Sequence, residues 1–177
     1  MPPIRTVRFH RPHPADAEAA QTCSRAEFAM HYVTPKRVLV TVAGDIDATN
    51  RQALGRFVER HIRVSQELIL DLSDVDFFGT QGFTALHYIS VRCAGRDVDW
   101  MLVCNRSVRR ILRICDPDGE LPMVDGLGIA LARLDHLARC RQSVVPTGPF
   151  RASTATRHPK KVSRRSSTAR GLRTGAG

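Results

Sequence analysis

The spacing of apolar positions changes period several times along the chain, and each change marks an element. In EFAMHYV, residues 27–33, Phe28, Met30 and Tyr32 alternate with their neighbours, which predicts a strand with these three on one face. After the turn at Thr34-Pro35-Lys36, RVLVTVAG (37–44) is apolar, β-branched and too short for a helix. It reads as a central strand forming a hairpin with the first. In RQALGRFVERHI (51–62), Leu54, Phe57, Val58 and Ile62 fall at helical spacing and predict a single apolar face. ELILDLSDVDFF (67–78) is a strand covered on both faces, with Asp76, Phe77 and Phe78 closing it.

The alternation then continues. GFTALHYISVRCAG (82–95) is helical, with Phe83, Leu86, Ile89, Ser90 and Cys93 on one face. VDWMLVC (98–104) is a strand, and SVRRILRICD (107–116) a helix with Val108, Ile111, Leu112 and Cys115 inward. DPDG (116–119) is a turn, and ELPMVD (120–125) a short strand kept at the edge by Pro122. LGIALARLDHLARC (127–140) closes the domain with a stripe of Leu127, Ala130, Leu131, Leu134 and Leu137 or Ala138. The order β-β-α-β-α-β-α-β-α predicts an α/β fold with right-handed parallel crossovers. The expected architecture is a mixed sheet of four to five strands with about four helices, packed mainly on one face.

Residues 1–24, rich in Pro, Ala and charge, carry no sustained period and read as a flexible N-terminal arm. The pattern dissolves again after Gln142. Residues 143–177 hold no acidic residue and eight basic ones, so a net charge of +10 leaves +2 for residues 1–142. The expected division is an arm (1–24), a domain (25–142) and a disordered basic tail (143–177). The tail can make weak, salt-dependent contact with a polyanion, but it lacks interleaved aromatics. Its SRRSS stretch, Ser163–Ser167, loosely matches a basophilic kinase site. The near-neutral body argues against nucleic-acid binding by the domain itself.

Chemistry is sparse. There is no GxGxxG after the first strand, no P-loop, no GxSxG and no HExxH, and the histidines His31, His61, His87 and His136 are scattered. The five cysteines show no CxxC spacing and imply neither a zinc site nor a disulfide framework; Cys93, Cys104 and Cys115 read as buried thiols. Asp45 and Asp47 could form a metal pair, but Asp47, Thr49 and Asn50 read more simply as helix caps. Asp71, Asp74 and Asp76 have no phosphate cradle beside them. No enzyme activity, cofactor or metal is implied. With no signal-peptide core and no apolar run of about 20 residues, the expectation is a cytoplasmic protein without membrane insertion. The reading is a binding or switching domain.

VLVTVAGDIDATN (38–50), LILDLSDVDFFGTQGFTALHYI (68–89) and the Leu-rich last helix resemble the STAS domain, the fold of bacterial anti-sigma factor antagonists. The resemblance implies binding of an anti-sigma factor, often a serine kinase of the GHKL type, and so release of a sigma factor. It places partner contacts at Asp45, Asp47, Thr49 and Asn50 and at Gly79, Thr80, Gln81 and Gly82. It also implies a switch, in which phosphorylation at the start of the second helix ends binding. There the family phrase D-S-[ST]-G is replaced by Gly79-Thr80-Gln81-Gly82. The usual acceptor position holds glutamine, which cannot be phosphorylated, and the candidate acceptor that remains is Thr80. Three readings of the turn stand together: Thr80 as helix N-cap with Gly82 allowing close packing, Thr80 as acceptor, or a permanently binding-competent antagonist. Other STAS roles also stay open, as a subunit of a lipid-transport ATPase complex or of a stress-signalling scaffold, as does tethering by the basic tail.

Overall fold

The computed structural model describes residues 12–143. After a 3-10 turn at Pro14–Asp16, the elements run β1 (Ala19–Cys23), β2 (Ala26–Thr34), β3 (Arg37–Ile46), α1 (Arg51–His61), β4 (Glu67–Phe78), α2 (Thr80–Ala94), β5 (Asp99–Cys104), α3 (Arg106–Cys115), β6 (Met123–Val124) and α4 (Leu127–Ser143). They form a six-stranded sheet in sequence order. The β1–β2 and β2–β3 pairs are antiparallel, and the β3–β4, β4–β5 and β5–β6 pairs are parallel.

Six strands replace the four to five expected. The added strand is β1, which lies inside the stretch read as a flexible arm and pairs from Ala19↔Met30 to Cys23↔Ala26. Its Ala-Ala-Gln-Thr-Cys sequence has little intrinsic strand preference, so pairing to β2 decides its conformation. Residues 1–11 of that arm, and the basic tail beyond Ser143, lie outside the described residues.

Strand order explains the layering. Three right-handed crossovers that step in one direction must place α1, α2 and α3 on one face. Val38, Val40, Val42, Leu68, Leu70, Leu72, Trp100 and Leu102 point into that core, against Leu54, Phe57, Leu86, Ile89, Val108 and Leu112. The intervening residues Leu39, Ile69, Met101 and Val103 point the other way and are covered by Ala130 and Leu134 of α4. The fourth helix thus takes the opposite face, and β3, β4 and β5 are covered on both sides.

β4 breaks strict alternation. Thr41 and Ala43 of β3 pair with Asp71 and Asp74, and Gly44 and Asp45 pair with Val75 and Phe77, so β4 carries one extra residue at each step. Without the insertions, Asp74 and Asp76 would follow Leu70 and Leu72 into the core. With them, Leu72, Val75 and Phe78 are buried while Asp74, Asp76 and Phe77 face solvent. Asn105 supports the irregular stretch: its Nδ2 donates to the Ser73 carbonyl at 3.2 Å and to the Val75 carbonyl at 2.6 Å. Its Oδ1 meanwhile accepts from the Val108 N–H at 3.0 Å and caps α3.

Candidate functional site

In parallel crossovers the loops that follow the strands gather at one end of the sheet, and ligands of open α/β sheets bind there. At this end β3 delivers Asp45, Asp47, Thr49 and Asn50, and β4 delivers Gly79, Thr80, Gln81 and Gly82. The two segments are joined directly, since the Gly79 N–H donates to the Ile46 carbonyl at 2.8 Å. The α carbon of Asp47 lies 3.9 Å from where a Cβ on Gly79 would sit. The structure therefore brings both predicted segments together along one edge.

The first segment is held by its own polar side chains. Asp47 Oδ1 accepts from the Thr49 N–H at 2.8 Å and from the Thr49 hydroxyl at 2.6 Å. These bonds hold the Asp47 carboxyl below the usual carboxylate range. Asn50 is fully buried. It donates to the Asp45 carbonyl at 2.8 Å and accepts from the Asp47 N–H at 3.1 Å. Asn50 occupies the N-cap position of α1, but its side chain makes no bond to the helix. The predicted caps thus brace the loop rather than the helix, because the Asx-type bonds inside it compete for the same oxygens.

A third segment joins the edge, and sequence reasoning missed it. The Asp45 N–H donates to the Arg25 carbonyl at 3.0 Å in the β1–β2 turn. The Arg25 guanidinium lies 3.5 Å from Asp45, and the Ser24 and Thr49 hydroxyls are 3.3 Å apart. Gly44 makes this approach feasible: its φ is +85°, and a Cβ there would lie 2.0 Å from the Arg25 carbonyl oxygen. The glycine of GDIDATN was the available signal, but its partner lies in the turn that follows β1, a strand the sequence pattern did not reveal.

The second segment corrects the capping role expected of Thr80. Gly79 is the N-cap of α2, with extended backbone and no side-chain bond, and Thr80 is the first helical residue. Thr80 and Gln81 are exposed, while Gly82 is buried against Phe78. The leading N–H groups of α2 have no carbonyl ahead of them in the helix, so this end carries partial positive charge. Phe77, one of the residues read as ending the core strand, is 56% exposed beside it. No group of three or more His, Cys, Asp or Glu among the described residues is placed to hold a metal ion. No helix among them is long and apolar enough to cross a membrane.

A mixed sheet with sequential strand order, three crossover helices on one face and an exposed α2 N-terminus at the loop end defines a SpoIIAA-like α/β domain. The chain belongs to the STAS domain family, whose model matches residues 29–129. It is 30% identical over 120 residues to Osmosensory protein A of Mycobacterium tuberculosis, covering 65% of this chain and 76% of that protein. It is also 30% identical over 90 residues to the anti-sigma-F factor antagonist RsfA of the same species, covering 49% and 70%. Among solved structures, an anti-sigma factor antagonist from Mycobacterium paratuberculosis superposes with a TM-score of 0.55 at 22% identity, covering 62% of this chain and 94% of that one. The unphosphorylated form of the antagonist SpoIIAA gives 0.51 at 14% identity, covering 65% and 96%. These two share the fold.

Proposed function

We propose that this protein is an anti-sigma factor antagonist, which binds an anti-sigma factor through the edge built from Asp45–Asn50 and Gly79–Gly82 and thereby frees a sigma factor. The observation that carries this reading is the bond from the Gly79 N–H to the Ile46 carbonyl, which joins the two loops at one edge where Ala48, Thr49, Thr80 and Gln81 are exposed. The likeness to RsfA supplies the partner class.

Thr80 is the acceptor in this reading. It is exposed at the first position of α2, where a kinase of the GHKL type can reach it. Phosphate adds roughly −1.5 to −2 charges. Placed within a packed interface, that charge has to be desolvated, and a thousandfold loss of affinity needs only about 4 kcal/mol. Gln81 does not participate chemically.

The decisive experiment incubates the purified chain with preformed complexes of sigma factors and their anti-sigma factors, the M. tuberculosis anti-sigma-F factor among them. Gel filtration should show sigma factor released from one complex as the chain takes its place. Release from none overturns the proposal. The likeness to Osmosensory protein A favours a second reading, a role in osmotic stress signalling through the same edge. Sigma-factor release that depends on osmotic conditions in the cell would join the two.

A further inference from the structure

Phe77 stands out at the proposed edge. Core closure does not need it, because Phe78 already seals the end of β4 at 3% exposure, while Phe77 is 56% exposed. Its position follows from the second insertion in β4, where Gly44–Asp45 of β3 faces Val75–Phe77. A regular strand would have sent one of Asp76 and Phe77 outward. The extra residue sends both outward, and such irregularities characteristically re-aim side chains. The Phe77 ring then leans over the start of α2, with Cε1 3.4 Å from the position of a Cβ on Gly79. The aromatic therefore lies between the two loops of the site.

Its surroundings are polar. Asp76 is exposed next to it, and the α carbon of Asp47 lies 3.9 Å from the same Cβ position on Gly79; Asp47 keeps its charge through the Thr49 bonds. The exposed Arg25 guanidinium pairs with Asp45 and also favours the charged form of Asp47. An apolar ring in a frame of carboxylates has the anatomy of an interface anchor, since such anchors are enriched in aromatics and ringed by polar groups that exclude water.

We propose that Phe77 is the aromatic anchor of the partner interface and that it inserts into an apolar pocket of the anti-sigma factor. This rests on the antagonist reading above. The test measures affinity of the full chain for the anti-sigma factor that releases its sigma factor, the M. tuberculosis anti-sigma-F factor being the first probe, for wild type, Phe77→Leu, Phe77→Ala and the remote surface variant Val91→Ala. Phe77→Ala should weaken binding by at least about tenfold, Phe77→Leu by less, and Val91→Ala by under about twofold. All three should melt like wild type. If Phe77→Ala does not fold, the partial loss in Phe77→Leu carries the test. Wild-type binding with no loss in the Phe77 variants overturns the anchor and leaves the antagonist reading in place. Absence of wild-type binding to every anti-sigma factor overturns both. A dimer of the chain alone that Phe77→Ala dissociates also overturns the anchor, because the ring would then face a second copy.

Discussion

Gly82 sits directly beneath the Phe78 ring: a Cβ on Gly82 would lie 2.5 Å from Phe78 Cζ, far inside contact distance. The start of α2 is thereby pressed onto the end of β4, which sets the height of Thr80 and Gln81 at the edge. Glycine within a helix ordinarily costs about 1 kcal/mol relative to alanine. Here overpacking against a buried ring costs about 1–3 kcal/mol and outweighs that gain. Gly82→Ala should therefore lower stability in urea unfolding, and a stabilised Gly82→Ala would show that the contact relaxes freely.

Thr80 provides a direct test of the switch. Glutamate in the first turn of a helix is tolerated or mildly stabilising, so Thr80→Glu should fold with an unchanged melting temperature. It should still weaken anti-sigma factor binding by about tenfold or more, because a charge is placed where the surfaces close. Thr80→Val should bind as wild type and accept no phosphate from a cognate kinase in intact mass spectrometry. Phosphate on Thr80→Val would remove Thr80 as the acceptor.

Asn105 links two irregular features, the insertions in β4 and the N-terminus of α3. Replacing it with alanine removes the cap and strands the Ser73 and Val75 carbonyls. Loss of a cap costs about 1 kcal/mol, and each buried carbonyl left without a partner about 1–3 kcal/mol. Asn105→Ala should lose at least about 2 kcal/mol in chemical denaturation and speed amide exchange at Asp74–Phe77. Unchanged exchange there would mean the insertions stand without Asn105.

Periodicity made most of the framework legible. The inward faces of α1 and α3 and the strand at 98–104 follow from spacing alone, because one buried face imposes one period. β1 did not, since Ala19–Cys23 owes its form to a partner strand. The exposure of Phe77 could not be read from spacing, because counting by twos fails across an inserted residue. Tyr32 shares a face with Phe28 and Met30 as expected, but at the end of β2, next to the register shift between Tyr32 and Thr34, it is 48% exposed. The stripe of α4 could be read, but the face it covers depends on the odd positions Leu39, Ile69 and Met101, which a helix pattern does not contain. At the site, the residue types of both loops were visible, whereas the contact of the first loop with Arg25 required the hairpin to be folded.

Away from the edge, Arg37 links three elements. Its Nε donates to Glu67 Oε2 at 2.6 Å and its guanidinium donates to Asp135 Oδ1 at 2.7 Å, joining β3, β4 and α4. Burial opposes its charge, but the two carboxylates outweigh that and raise its pKa. Glu67 is buried with it, whereas the Asp135 side chain is half exposed. Arg37→Ala leaves Glu67 charged and unpartnered and should cost about 3–5 kcal/mol. Asp135→Ala should cost under about 1 kcal/mol. Equal costs would show that α4 anchoring, rather than the buried charge, dominates.

The two buried thiols predict how stability depends on alkaline pH. Burial pushes Cys93 and Cys104 up from the ordinary 9.0 to about 12. Between these values the unfolded chain releases thiol protons that the folded chain keeps. It then binds fewer protons than the native state, so stability falls as pH rises. The contribution is fully present below about pH 9 and lost progressively toward 12, at about 1.4 kcal/mol per pH unit for each thiol. By pH 10 the pair accounts for roughly 3 kcal/mol. The double variant Cys93→Ala/Cys104→Ala begins less stable because it creates cavities, but it should decline more gently between pH 8 and 10. Urea unfolding of both proteins at the two pH values isolates the difference, since other alkaline titrations are common to both. Parallel declines would mean that these thiols ionise in the folded protein as readily as in the unfolded chain.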